Sequence, residues 1–169
     1  MWALRITSLP KESTDKSRPD WDQYFINIAK VVASRATCLR RRYGAVIVKH
    51  NTIMSTGYCG AARGVPNCID VDKCKREEVD AKPGERYELC KSVHAEQNAI
   101  ITAPPERMIG ATIYIAGIDK DDNFVDTEPC LMCRRFIKNA QISRTVVIKK
   151  DGKLYEYRDK KQRGVAKSG

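Results

Sequence analysis

Two short segments constrain this 169-residue chain more tightly than anything else in it: His94-Ala95-Glu96 and Pro129-Cys130-Leu131-Met132-Cys133. Singly they say little, since a lone histidine reads as a helix-end residue and a lone Cys-x-x-Cys suits a redox pair equally well. Together they supply one imidazole and two thiolates, the three-ligand set with which a catalytic zinc keeps its fourth position for water. Cys130 and Cys133 stand three apart and project from one side of a first helical turn. A helix N-terminus also lowers thiol pKa and favours the thiolates that a metal needs. His94 and Glu96 impose the sharper condition. They lie about 200° apart on an ideal helix, so they converge only on a site beyond the helix end. A fold that uses these residues together must set two helix N-termini face to face across the metal. Glu96 is then not a ligand but a base beside it, moving protons between water and a leaving group.

The rest of the chain can build such a scaffold. Asp20 reads as an N-cap with Gln23 completing a capping box, and Trp21, Tyr24, Phe25, Ile28 and Val32 recur at helical spacing as a buried stripe. The β-branched run Ala45-Val46-Ile47-Val48 predicts a buried strand, turned at His50-Asn51 into a second one over 52–56. Residues 57–92 read as loop, and a helix fits 93–102, closed by Pro104-Pro105. A third strand over 112–116 and the acidic loop 119–126 follow. Next come a helix over 130–139 entered through Pro129 and a fourth strand over 145–148. Residues 154–157 suit either a strand or a short helix. The order α-β-β-α-β-α-β implies a three-layer α/β/α sandwich around a central mixed sheet, its hairpin antiparallel and its later β-α-β step a right-handed parallel crossover. The expected organisation is an N-terminal arm over 1–19, one zinc domain over 20–158 and a basic tail over 159–169.

Composition excludes several classes. Hydrophobic residues make up 42 % of the chain and charged ones 31 %, which leaves a real core and rules out disorder throughout. No apolar stretch approaches the roughly 18 residues that span a bilayer, and the first ten residues do not read as a signal peptide. A cytoplasmic protein with no membrane partner is the expectation. The net charge of +10 points to nucleic acid or phosphate, and its distribution separates the two. The excess sits in 30–49, around Arg40-Arg41-Arg42, and in 149–169. Aromatic residues are only 7 %, too few to suggest a stacking platform for single strands. A small phosphate-bearing molecule fits this pattern better than a nucleic acid.

His94-Ala95-Glu96 with Pro129-Cys130-x-x-Cys133 is the signature of zinc nucleobase deaminases, and the chain resembles the cytidine/deoxycytidylate deaminase superfamily. Cys38-Leu39-Arg40-Arg41-Arg42-Tyr43-Gly44, Ser55-Thr56-Gly57-Tyr58 and Arg63-Gly64-Val65-Pro66-Asn67-Cys68 are similar to its deoxycytidylate (dCMP) deaminase, or ComEB-like, branch. The resemblance covers about 21–150. It implies a cytidine deaminase-like fold, hydrolytic release of ammonia from dCMP to give dUMP, and a homo-oligomer, commonly a hexamer. It further implies His94, Cys130 and Cys133 as zinc ligands, Glu96 as the catalytic base and Ala95 as a backbone donor to the base. A dCMP substrate needs a phosphate binder, for which Arg40, Arg41, Arg42 and Arg63 are candidates, and Asn98 is a candidate for orienting neighbouring loops or the sugar. Two departures stand out. Where that branch shows Gly-Tyr-Asn-Gly, this chain has Gly57-Tyr58-Cys59-Gly60, and a thiol lacks the paired donor and acceptor of an amide. The acidic stretch before Glu128-Pro129-Cys130 is longer, and Glu-Pro-Cys is more familiar from deaminases of tRNA adenosine, guanine and riboflavin precursors.

Of the seven cysteines, Cys38, Cys68, Cys74 and Cys90 remain once Cys59 and the Cys-x-x-Cys pair are set aside. Four thiolates on neighbouring loops make a closed structural zinc site that would pin a loop poor in apolar residues. Some members of the dCMP deaminase branch are similar in carrying a second zinc near these positions. Free thiols and, least of all, a disulfide are the other readings. Two functional alternatives stay open beside dCMP deamination: the same chemistry on cytidine, guanine or a tRNA base, and a non-catalytic nucleic-acid-binding or DNA-uptake accessory protein.

Overall fold

The β-branched runs alternate strictly between two apolar faces, and that alternation decides the layering. In the computed structural model, which describes residues 18–82 and 84–158, helix α1 (Trp21–Ala33) leads into strands β1 (Arg42–Lys49) and β2 (Thr52–Tyr58). The segment that follows holds β3 (Gly60–Ala61), the single-turn helices α2 (Cys68–Val71) and α3 (Lys75–Glu78), a 3₁₀ turn over Tyr87–Leu89, and β4 (Ser92–Val93). Helices α4 (Ala95–Thr102) and α5 (Pro105–Met108), strand β5 (Thr112–Ile118), helix α6 (Leu131–Asn139) and strands β6 (Arg144–Ile148) and β7 (Leu154–Arg158) complete the chain order.

The main sheet runs β2-β1-β5-β6-β7. Its β1/β2, β1/β5 and β6/β7 pairs are antiparallel, and β5/β6 is parallel, as a helical crossover requires. Val46, Val48, Tyr114, Ala116, Val146 and Ile148 face α1, where they meet Phe25, Ile26 and Ala29. Their alternate neighbours Ala45, Ile47, Ile113, Ile115 and Val147 face the other way, onto Ala95 and Ala99 of α4 and Ile137 of α6. Both faces are covered, so the expected three-layer α/β/α sandwich with a mixed sheet is the observed one.

Close approach by small residues sets the helix positions. A Cβ on Gly44 would lie 2.2 Å from the Ala29 carbonyl oxygen, and one on Gly57 would lie 2.3 Å from the Ala99 nitrogen and 2.4 Å from the Ala95 oxygen. Gly44 therefore admits α1 on one face of the sheet, and Gly57 admits α4 on the other.

Several boundaries differ from those expected, each for a local reason. The helix carrying Glu96 starts at Ala95, with His94 as its N-cap. Residues 154–158 form an edge strand. The buried stripe of α1 is Phe25, Ile26, Ala29 and Ala33; of the expected stripe Phe25 is buried and Ile28 and Val32 pack partly buried beside it. Trp21 and Tyr24 are exposed because the alanines, by packing on Gly44, rotate the larger rings outward. Asp20 does cap α1 through Gln23 N–H at 2.8 Å, but the Gln23 side chain donates to Asn27 and does not complete the expected box. The expected arm, beyond its last two residues, and the expected tail lie outside the described residues. No helix among the described residues is long and apolar enough to cross a membrane.

Candidate active site

The sequence demanded two opposed helix N-termini, and α4 and α6 provide them. His94 takes the extended backbone of an N-cap, and the Gln97 side chain accepts its N–H at 3.0 Å. Cys130 caps α6, its sulfur accepting the Cys133 N–H at 3.4 Å. Arg134, one turn into α6, reaches back to the Pro129 carbonyl at 2.9 Å and to the Glu128 carboxylate. That clamp fixes the approach to Cys130.

His94 Nδ1 lies 3.5 Å from Cys130 Sγ and 3.3 Å from Cys133 Sγ. A tetrahedral zinc with ordinary Zn–N and Zn–S bonds sets its nitrogen and sulfur ligands about 3.5 Å apart, so these residues fit the ion. Among the described residues they are the group of three or more candidate ligands whose atoms lie within 4.8 Å of one another. A hydrogen bond from the Cys133 thiol holds Cys130 down at about 4, and the same shared proton pushes Cys133 up. A zinc ion held here would take that proton's place.

Glu96, in the first turn of α4, is only 6 % exposed. Burial pushes its carboxyl up, against the downward pull of its own backbone N–H and of His94. It lines a cavity of about 200 Å³ together with His94, Ala95, Cys130, Tyr43 and Tyr87. Tyr87 sets its ring edge against the His94 imidazole at 4.9 Å between centroids.

The remaining expected residues divide. Ala95 lines the cavity. Asn98 is a positioning residue, its Nδ2 donating 2.8 Å to the Tyr58 carbonyl at the end of β2. Arg42 is not in the wall. Its guanidinium binds the Asp119 carbonyl and, at 2.7 Å, the Asp122 carboxylate, because the acidic loop folds back onto β1 and neutralises it. Arg63 is exposed on a loop and also stands outside the wall. The other two expected arginines, Arg40 and Arg41, do line the cavity, and so does Arg76, which was not expected. Arg76 was missed because it belongs to the charge run Lys75-Arg76-Glu77-Glu78, which reads as a solvated face.

Cys38, Cys68, Cys74 and Cys90 all line the same cavity. The neighbouring thiols add to burial in pushing Cys68 up. Their sulfurs are gathered without closing to the spacing of the His94 group. Cys59, the departure from the branch pattern, is buried at the cavity wall. Its sulfur accepts the Tyr43 N–H at 3.2 Å and faces the Arg41 carbonyl at 3.6 Å, so the thiol meets one backbone donor and one backbone acceptor of β1 and its approach. Burial pushes it up to about 12.

The family model for the cytidine and deoxycytidylate deaminase zinc-binding region matches residues 19–149. The deoxycytidylate deaminase of Mycobacterium phage D29 is 38 % identical over 135 residues, covering 77 % of this chain and 95 % of that one. The deoxycytidylate deaminase of Schizosaccharomyces pombe is 35 % identical over 132 residues, covering 78 % of this chain but 38 % of its own length. In fold, the chain is similar to the dCMP deaminase of cyanophage S-TIM5, crystallised with dCMP and dUMP. The TM-score is 0.54 at 20 % identity, over 80 % of this chain and 88 % of that one.

Proposed function

The chain belongs to the cytidine and deoxycytidylate deaminase family, and from that membership and its site geometry we infer that it is a zinc-dependent hydrolase converting dCMP and water to dUMP and ammonia. His94, Cys130 and Cys133 would hold the ion, which when bound would supply a Lewis acid that lowers the pKa of water. The observation that carries the assignment is Glu96: a buried carboxylate beside three ligand atoms and not one of them. A purely structural metal site has no use for such a group. Glu96 takes a proton from the attacking water as its oxygen bonds to C4 of the pyrimidine, and delivers that proton to the ring nitrogen N3. It then takes the remaining proton from the new C4 hydroxyl and passes it to the exocyclic amine, the C4–N bond breaks as the C4 carbonyl forms, and ammonia leaves. Ala95, at the first position of α4, offers its N–H toward the cavity end where the base sits.

Glu96→Gln tests this. It should keep the His94-Cys130-Cys133 zinc by elemental analysis while ammonia release from dCMP falls by about 10²–10⁴-fold, the usual worth of a positioned acid–base. Unchanged release would overturn the mechanism. Turnover of cytidine, guanine or tRNA by the wild type, with none of dCMP, would overturn the substrate.

A second, structural zinc held by Cys38, Cys68, Cys74 and Cys90 belongs to the same proposal. Its support is that four thiols from separate loops gather at one cavity. A metal count near two per chain bears it out, and a count near one removes it. We place the enzyme in the cytoplasm as a homo-oligomer, a hexamer. The exposed Leu131, Met132 and Phe136 on α6 support a subunit contact.

A further inference from the structure

His94 turns Nδ1 toward both sulfurs, at 3.5 and 3.3 Å. A metal-bound imidazole is ordinarily oriented from its other nitrogen, by a carboxylate, a carbonyl or a water that accepts there. Among the described residues the hydrogen-bond contacts of this ring are those two through Nδ1, so neither a carboxylate nor a carbonyl orients it from Nε2. The Tyr87 ring touches the imidazole instead, 4.9 Å away between centroids and with the two planes at 71°. Edge-on contact of this kind is one of the arrangements that aromatic rings prefer.

Tyr87 is itself held in place. The Arg76 guanidinium lies over its ring at 4.6 Å, and Arg76 Nη2 donates to the Lys82 carbonyl at 2.9 Å. The backbone is committed as well. Arg86, just before the tyrosine, takes the left-handed conformation, φ 54°, uncommon in a residue other than glycine. Such conformations persist where the surrounding contacts over-determine them. Glu85, Arg86, Glu88 and Leu89 are exposed, whereas Tyr87 is half-buried and lines the cavity. The Cys90 N–H closes the turn by donating 3.0 Å to the Tyr87 carbonyl.

We propose that Tyr87 is a positioning residue for the metal: its ring, gripped by Arg76, fixes the plane of the His94 imidazole so that Nδ1 faces the ion's place before the ion arrives. The proposal rests on the reading of His94, Cys130 and Cys133 as zinc ligands. A neutral imidazole has one nitrogen free to accept, and that lone pair lies in the ring plane, so the plane must be right for the bond to form. A ring already set in that plane loses little freedom on binding. The ring and not the hydroxyl makes both contacts. His94 thereby answers to α3 and the 3₁₀ turn, elements that supply none of the three ligands.

The chain has two histidines, His50 and His94, so the His94 ring can be followed by NMR in the full-length protein. Its signals report this site and not one made by Cys38, Cys68, Cys74 and Cys90. Zinc is withdrawn by a competing chelator from wild type, Tyr87→Phe and Tyr87→Leu, with circular dichroism as a check on folding. Tyr87→Phe keeps the ring and should hold zinc as wild type does. Tyr87→Leu should hold it about 10- to 100-fold more weakly, the usual worth of a residue that orients a metal ligand. Equal zinc affinity in Tyr87→Leu and wild type would overturn the proposal, whether or not KM for dCMP rose, since the ring would then be pocket wall only. Equal loss in both variants would place the effect on the hydroxyl and overturn it too. Should Tyr87→Leu fail to fold, zinc-loaded wild type decides: a nuclear Overhauser contact between the Tyr87 and His94 rings bears the proposal out, and its absence overturns it. If zinc leaves the His94 signals of wild type unmoved, the zinc reading falls and the proposal with it; failure in the variants alone leaves that reading standing.

Discussion

Gly57→Ala should disable the enzyme without touching a single catalytic atom. The added Cβ would lie 2.3 Å from the Ala99 nitrogen, 2.4 Å from the Ala95 oxygen and 2.8 Å from the Asn98 carbonyl carbon, all backbone of α4. Ordinary contact begins at 3.4 Å, so α4 must retreat by about 1 Å. Its first turn carries Glu96, and its N-cap is His94. Metal–ligand distances tolerate about 0.2 Å, and a misplacement of about 1 Å in a reacting group costs on the order of 10²-fold in rate. Overpacking of this kind also destabilises by about 1–3 kcal/mol. Gly44→Ala is the matched control. It creates the same backbone clash, 2.2 Å to the Ala29 oxygen, but moves α1, on the face of the sheet that carries no site residue. Both variants should lose similar stability in urea titrations, whereas only Gly57→Ala should lose about 10²-fold in ammonia release per folded molecule, together with zinc. If Gly57→Ala kept wild-type turnover and metal, the close packing of α4 on β2 would not be what positions the site.

Two further outcomes follow from buried polar groups. Arg144 makes a bidentate pair with Asp22, both bonds 2.6 Å, and a third bond of 2.7 Å to Glu156, which is only 6 % exposed. Asp22→Ala leaves Arg144 still paired with Glu156 and should cost about 2–3 kcal/mol, whereas Arg144→Ala takes the cation from both carboxylates and should cost about 3–5 kcal/mol; equal urea midpoints for the two variants would contradict that ordering. Cys59, held up at about 12, has on the order of one thiolate in 10⁴ at pH 8. Only the thiolate reacts, so iodoacetamide followed by peptide mass spectrometry should modify Cys59 after unfolding and not before. Rapid labelling in the native protein would mean that the thiol is not sealed at the wall.

The opposed helix ends were legible from the sequence because helical geometry leaves His94 and Glu96 no other way to meet. The layering was legible too, since Val46 and Ile47 begin two apolar sets that cannot both face one helix. What escaped was set by absence, not by presence. Trp21 and Tyr24 carry the most apolar surface at the start of α1, yet Ala29 and Ala33 decide its orientation because they alone allow contact with Gly44. Arg76 escaped for a related reason. Its neighbours Lys75 and Glu78 form a solvent-facing ion pair at 2.5 Å, and nothing in a run of charges marks the one that turns inward. Arg42 misled by adjacency: it follows Arg40 and Arg41 in sequence, but strand alternation sends it to Asp122.

The two ligand-bearing helix ends also fix when the site can come into being. Thirty-six residues separate His94 from Cys130, and between them run β5 and the entry to its crossover. The two N-termini have no settled position relative to one another until β1 has paired with β5, and β5 with the parallel strand β6. Pairings so distant in sequence form slowly, because chain closure must precede the contacts that reward it. A metal at this site would therefore be captured by an already assembled sheet and would not seed it. An ion bound that late acts on escape from the native state: it slows unfolding and leaves the rate of folding almost untouched.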